Sequence, residues 1–122
     1  MNMIAFDWGG TLATRSDLVD LFIAMSRTGF PLCVISAVSP GDEERTRNII
    51  GDFIKSGNLT CEIHIVTFPA TPQPDGKVEV EIGKLKAEVM AKAGAKILID
   101  DNPHICEGVR QSGFLALRVF PP

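Results

Sequence analysis

Five short apolar runs punctuate the chain: MIAFD (3–7), PLCVIS (31–36), CEIHIV (61–66), KILID (96–100) and FLALRV (114–119). They are rich in Ile, Val, Leu and Phe, and most lack strict polar alternation. Strands buried on both faces of a parallel sheet read this way. The segments between them have helical spacing. In 16–28, Leu18, Leu21, Phe22 and Met25 share a face, and Ser16 is placed to cap it. In 42–56 the stripe is Ile49, Ile50, Phe53 and Ile54, with Asp42, Glu43 and Glu44 at the positive end of the dipole. In 84–93, Leu85, Val89 and Ala93 align ahead of Gly94, and 103–112 opens on Pro103 with Ile105 and Val109 turned inward. This alternation predicts an α/β domain built on a parallel sheet.

Residues 67–83 break the rhythm. Three prolines and Asp75-Gly76 mark an irregular surface loop, and the alternating Val78, Val80 and Ile82 suggest a short hairpin. The 122 residues fit a single domain, 1–122, of ordinary globular composition. No apolar run approaches the ~18 residues of a membrane span, and Met1-Asn2-Met3 lacks the basic start of a signal peptide. A cytoplasmic protein without a membrane partner is expected. A net charge of −3 with no basic cluster disfavours nucleic acid. Cys33, Cys61 and Cys106 are odd in number and far apart, which suits buried thiols. Cys61 with His64, or His104 with Cys106, lacks the second pair that zinc spacing requires.

Ligands of parallel α/β sheets bind beyond the carboxyl ends of the strands. The first run ends at Asp7, the second at Ser36 and the fourth at Asp100-Asp101, while Lys84 and Lys86 open a helix just before the fourth. Each has an ordinary alternative as a turn residue, a helix start or a solvated lysine. In this order they place three carboxylates, a hydroxyl and a lysine on one rim.

The constellation resembles the haloacid dehalogenase-like (HAD) superfamily. Its first motif, Asp-x-Asp-Gly-Thr after an apolar strand, is similar to Asp7-Trp8-Gly9-Gly10-Thr11. Its Ser/Thr motif is matched by VISA at Ser36, its lysine by Lys86 with Lys84 as the alternative, and its paired acids by ILIDD at 97–101. The receiver domain of two-component signalling has similar residue types but in another order. The resemblance implies a three-layer α/β sandwich, a HAD-like Rossmannoid fold of five mainly parallel strands in the order 5-4-1-2-3. It also implies no large cap, since only about two dozen residues separate Asp7 from the second run.

The same resemblance implies a Mg²⁺-dependent phosphohydrolase with Asp7 as nucleophile. Mg²⁺ would be held by Asp7, the Gly9 carbonyl and Asp101, with Asp100 behind them. Ser36, the Ala37 amide and Lys86 would hold the phosphoryl oxygens, Lys86 would neutralise Asp7, and Gly10 would allow the tight turn. Thr11 would support the loop. The expected partner is a phosphorylated substrate, small molecule or macromolecule, and the open rim could also take a second copy of the chain as its cover. Trp8, Phe68 and Pro69 lie near that rim.

Gly9 departs from the pattern, because an Asp there normally serves as general acid and base, a contribution of roughly 10²–10⁴-fold. Three readings accommodate it. The favoured one is a phosphohydrolase whose acid–base help is dispensable or comes from His64 or His104. The second is a dehalogenase- or phosphonatase-like hydrolase, whose inserted cap has no room here. The third is a non-catalytic protein that binds Mg²⁺ and a phosphorylated ligand, or serves as a scaffold.

Overall fold

Consecutive residues of the central strands point into different cores. In the computed structural model, which describes residues 2–68, 71 and 73–120, Ala5 packs with Cys33, Ile35 and Leu98. Its neighbour Phe6 packs with Val34 and Ile99 on the opposite side. The strands are β1 (Met3–Asp7), β2 (Leu32–Val38), β3 (Glu62–Thr67), β4 (Ala95–Asp100) and β5 (Leu115–Arg118). All pairs are parallel. From one edge the sheet runs β3-β2-β1-β4-β5, and from the other β5-β4-β1-β2-β3, with β1 central.

Helices α1 (Ser16–Arg27) and α2 (Glu43–Ser56) cover one face, through Leu18, Phe22, Ile50 and Ile54. Helices α3 (Lys77–Ala93) and α4 (Pro103–Gln111) cover the other, through Met90, Ile105, Cys106 and Val109. The result is a three-layer α/β fold with five parallel strands. Phe6 and Phe22 meet edge to face at 5.1 Å in the first core. Burying each such side chain stabilises the fold by roughly 1.5–3 kcal/mol.

The structure differs from the sequence reading in three places. Residues 77–83 are not a loop or hairpin but the first two turns of α3. The alternation of Val78, Val80 and Ile82 misleads because the buried stripe of this helix is made by Gly83, Lys86, Ala87 and Met90, only part of it apolar. Gly83 and Gly108 let α3 and α4 touch backbone to backbone. A methyl at Gly83 would overlap the Ile105 carbonyl oxygen, and one at Gly108 would overlap that of Val80. Ser16 is the first helical residue of α1 rather than its cap, a place taken by Arg15, whose side chain makes no capping bond and pairs instead with Asp17. Strand β2 continues past Ser36 to Val38, because Ala37 and Val38 pair with Val66 and Thr67.

Candidate ligand site at the carboxyl ends of β1 and β4

The sheet delivers Asp7 and Asp100 side by side, because β1 and β4 are neighbouring parallel strands that end at the same level. After Asp7 the chain turns sharply through Trp8–Leu12, closed by the Ala13 N–H donating to the Trp8 carbonyl at 2.8 Å. Gly10 occupies this turn at φ +73°, and a side chain there would overlap the Asp101 carboxylate. Glycine is needed for both reasons. Beyond Asp100, Asn102 caps α4, its Oδ1 accepting from the backbone N–H groups of His104 and Ile105, while its own N–H donates to Asp100 Oδ1 at 3.0 Å.

Lys86 rises from the middle of α3 and is wholly buried. Its Nζ donates to Asp7 Oδ1 at 2.8 Å and to Asp100 Oδ2 at 2.9 Å. Thr11, equally buried, places its hydroxyl 3.2 Å from Asp7 Oδ2 and 3.3 Å from Asp101 Oδ1, between the two carboxylates. Asp7, Asp100 and Asp101 each offer an oxygen, and these oxygens lie within 4.8 Å of one another. They border a cavity of about 290 Å³, also lined by Gly9, Gly10, Ala37, Lys86 and Asn102.

Three carboxylates share one ammonium, so the site carries an excess of negative charge. Burial, opposed by Lys86 and reinforced by Asp100 and Asp101, pushes the Asp7 carboxyl up to about 7. Burial pulls Lys86 down, but the charges and hydrogen bonds of Asp7 and Asp100 outweigh it and hold the ammonium above its ordinary range. The lysine therefore stays charged, and Asp7 bears the cost of the crowding. A hard cation among these oxygens would relieve it, and an all-oxygen donor set suits Mg²⁺.

The structure brings most of the sequence-derived residues together. Asp7, Gly9, Gly10, Ala37, Lys86, Asp100 and Asp101 all line the cavity. Ser36 sits buried at the same strand end, but Ala37 and not Ser36 faces the cavity. Lys84 points away and pairs with Glu81 at 3.1 Å, so Lys86 is the site lysine. Neither histidine lines the cavity: His64 pairs with Glu62 at 3.1 Å, and His104 packs over Gly76. Trp8 packs on Phe53 at 5.3 Å, Phe68 is half-buried, and Pro69 lies outside the described residues. Asn102 is a site residue that the sequence reading misses, although an Asn just before Pro103 is a helix-cap signature. A larger cavity, about 520 Å³, opens at the opposite rim beside Arg27, Phe30 and Asn58, away from these carboxylates.

No family model and no curated protein matches the chain. Solved structures do. A protein from the universal stress protein family from Burkholderia pseudomallei superposes with a TM-score of 0.64 at 12% identity, covering 97% of this chain and 95% of that one. A universal stress protein in complex with cAMP gives a TM-score of 0.61 at 13% identity, with the same coverage. A chain of the Pnkp1/Rnl/Hen1 RNA repair complex gives 0.61 at 14% identity, covering 98% of this chain and 43% of that one. At such identities the likeness is one of fold, a Rossmann-like three-layer α/β sandwich.

These findings correct the HAD assignment. The two structures above that match over nearly their whole length are universal stress proteins, and they lend no support to a HAD-like fold, a Mg²⁺-dependent phosphohydrolase or its dehalogenase-like alternative. Gly9 brings no acid to the cavity, and neither His64 nor His104 lines it.

Proposed function

We propose that this domain binds a phosphate-bearing small molecule through a divalent cation, Mg²⁺ first among the candidates, without cleaving it. One observation carries the reading: three carboxylate oxygens within 4.8 Å of one another, beside a buried lysine, at the carboxyl ends of β1 and β4. Those ends flank the point where the strand order reverses, with β2 and β3 on one side of β1 and β4 and β5 on the other, the usual ligand crevice of open α/β sheets. Asp7 and Asp101, with the Gly9 carbonyl, hold the cation. Asp100 anchors Lys86, whose third N–H remains to meet a phosphoryl oxygen. Ala37 borders the same space, and Ser36 is buried beside it at the end of β2. The fold it shares with a universal stress protein in complex with cAMP supports a phosphate-bearing ligand.

Binding is read by isothermal titration, with the fluorescence of Trp8, the single tryptophan, as a second signal. The test is titration with Mg²⁺, and then with inorganic phosphate, AMP and cAMP in the presence and absence of the ion. Cation-dependent binding of at least one phosphate compound is expected, lost in Asp101→Asn while the folded circular-dichroism spectrum persists. No response to cation or phosphate at millimolar concentration would refute the reading.

A further inference from the structure

Three of the five exposed large apolar side chains among the described residues, Leu115, Leu117 and Phe120, crowd together at one edge of the sheet. Strand β5 is that edge, with β4 on one side and no strand on the other. Its two faces differ. Ala116 shares the core of α4 with Cys106 and Val109, whereas Leu115 and Leu117, on the side of α1 and α2, are 63% and 55% exposed. The opposite edge is guarded: β3 carries Glu62 and His64, and Arg47 donates to its Ile63 carbonyl at 3.1 Å.

The β5 edge also keeps main-chain groups to offer. Alternate residues of a parallel strand bond to a given neighbour, and the Val119 N–H donates to the Asp100 carbonyl at 2.9 Å. The main-chain groups of Leu115 and Leu117 therefore face β4, and those of Ala116 and Arg118 face outward. Arg110 donates to the Ala116 carbonyl at 2.8 Å, which leaves that oxygen a second lone pair.

We infer that β5 pairs with the β5 of a second copy, antiparallel about a two-fold axis at Leu117, joining the two five-stranded sheets into one. The residues around Leu117 suit a copy of themselves. Ala116 meets Arg118 of the second copy and exchanges both main-chain bonds with it, Leu117 meets Leu117, and Leu115 meets Val119. Continued outward, the register sets Phe120 beside Phe114. Each exposed apolar side chain of the segment thus gains an apolar partner. A two-fold at Arg118 would oppose two guanidinium groups, and one at Ala116 would leave Phe120 opposite Ser112. The antiparallel pairing turns the two carboxylate rims to opposite ends of the joined sheet, so neither copy covers the other's cavity.

The test begins with sedimentation equilibrium at high micromolar concentration. Wild type is expected as a dimer, and Leu117→Lys as a monomer with an unchanged circular-dichroism spectrum. Cysteine substitutions then read the register. In Leu117→Cys the paired Cα atoms lie about 4.5 Å apart across the axis, within disulfide range. In Leu115→Cys they are separated by roughly 14 Å, four residues of strand. Copper-phenanthroline oxidation should link Leu117→Cys into a dimer at least tenfold faster than Leu115→Cys or wild type. A monomeric wild type overturns the inference, as does a dimer that survives Leu117→Lys. Equal linking of the two cysteine variants, or none in either, overturns the two-fold at Leu117.

Discussion

Lys86 Nζ donates to Asp7 Oδ1 at 2.8 Å across 79 positions of sequence, and no part of the lysine reaches solvent. The same nitrogen holds Asp100 at 2.9 Å. Strands β1 and β4 would otherwise bring two carboxylates together in a dry interior, where like charges repel strongly. The ammonium from α3 makes that juxtaposition tolerable. It thus ties a helix and two strands into one electrostatic unit at the rim.

Replacing Lys86 with Met keeps the bulk of the side chain and deletes its charge. Two buried carboxylates then face each other unpaired, and breaking a buried pair in this way costs about 3–5 kcal/mol. Urea denaturation should show a loss of that size for Lys86→Met. Combining it with Asp7→Asn should recover part of the loss, because one of the stranded charges is gone. A double mutant no more stable than the single one would deny the coupling.

Asp7 makes the free protein sensitive to pH. Its carboxyl is pushed up to about 7 from 3.8, first by burial, so between these values the folded state holds a proton that the unfolded chain releases. Stability from this group is therefore lost as pH rises from about 4 to 7, by up to about 1.4 kcal/mol per pH unit. Lys86 acts at the other end of the scale: its raised value contributes stability up to its ordinary range, lost only in strong alkali. Thermal unfolding between pH 4 and 8 should show the decline in wild type and a flatter profile in Asp7→Asn. Millimolar Mg²⁺ should restore stability at pH 8 more than at pH 5, since only the ionised carboxylate attracts it.

How much of this arrangement could be read in the sequence follows from where each signal lives. The strands announced themselves because both of their faces are buried, and the acids at their ends lie at the rim where the fold puts them. Lys86 could be placed by its position at a helix ahead of β4, although its complete burial contradicts every pattern rule for lysine. The start of α3 was illegible, because Gly83 meets Gly108 through bare backbone and leaves no apolar period to detect. The family assignment failed for a different reason. A rim of acids, a hydroxyl and a lysine on a parallel sheet is a solution open to many α/β proteins, so a motif of single residues does not fix lineage.

The close contact of α3 with α4 yields its own test. Gly83→Ala must push the Ile105 carbonyl away, separating the helices along their contact. Overpacking of this kind costs typically 1–3 kcal/mol. Gly51, on α2 with open space around it, serves as the control, because alanine there meets nothing within 4 Å and favours the helix. Denaturation midpoints should move in opposite directions for Gly83→Ala and Gly51→Ala. Equal shifts would mean that the helices accommodate the methyl.

Gly9 and Gly10 are adjacent, line the same cavity, and should respond differently to the same methyl group. Gly9 has φ −64°, and a methyl carbon added there would meet nothing within 4 Å, so Gly9→Ala should fold with unchanged stability. Gly10 has φ +73°, a region that costs an L-residue roughly 1–2 kcal/mol, and its new carbon would strike the Asp101 carboxylate. Relief comes only by moving Asp101, which breaks its contact with Thr11 and spoils the spacing of the carboxylate oxygens. Gly10→Ala should therefore lose cation affinity by more than tenfold as well as stability, while Gly9→Ala keeps both. Isothermal titration with Mg²⁺ alongside a thermal melt separates the two effects. If Gly10→Ala binds the ion as tightly as wild type, Asp101 is not one of its ligands.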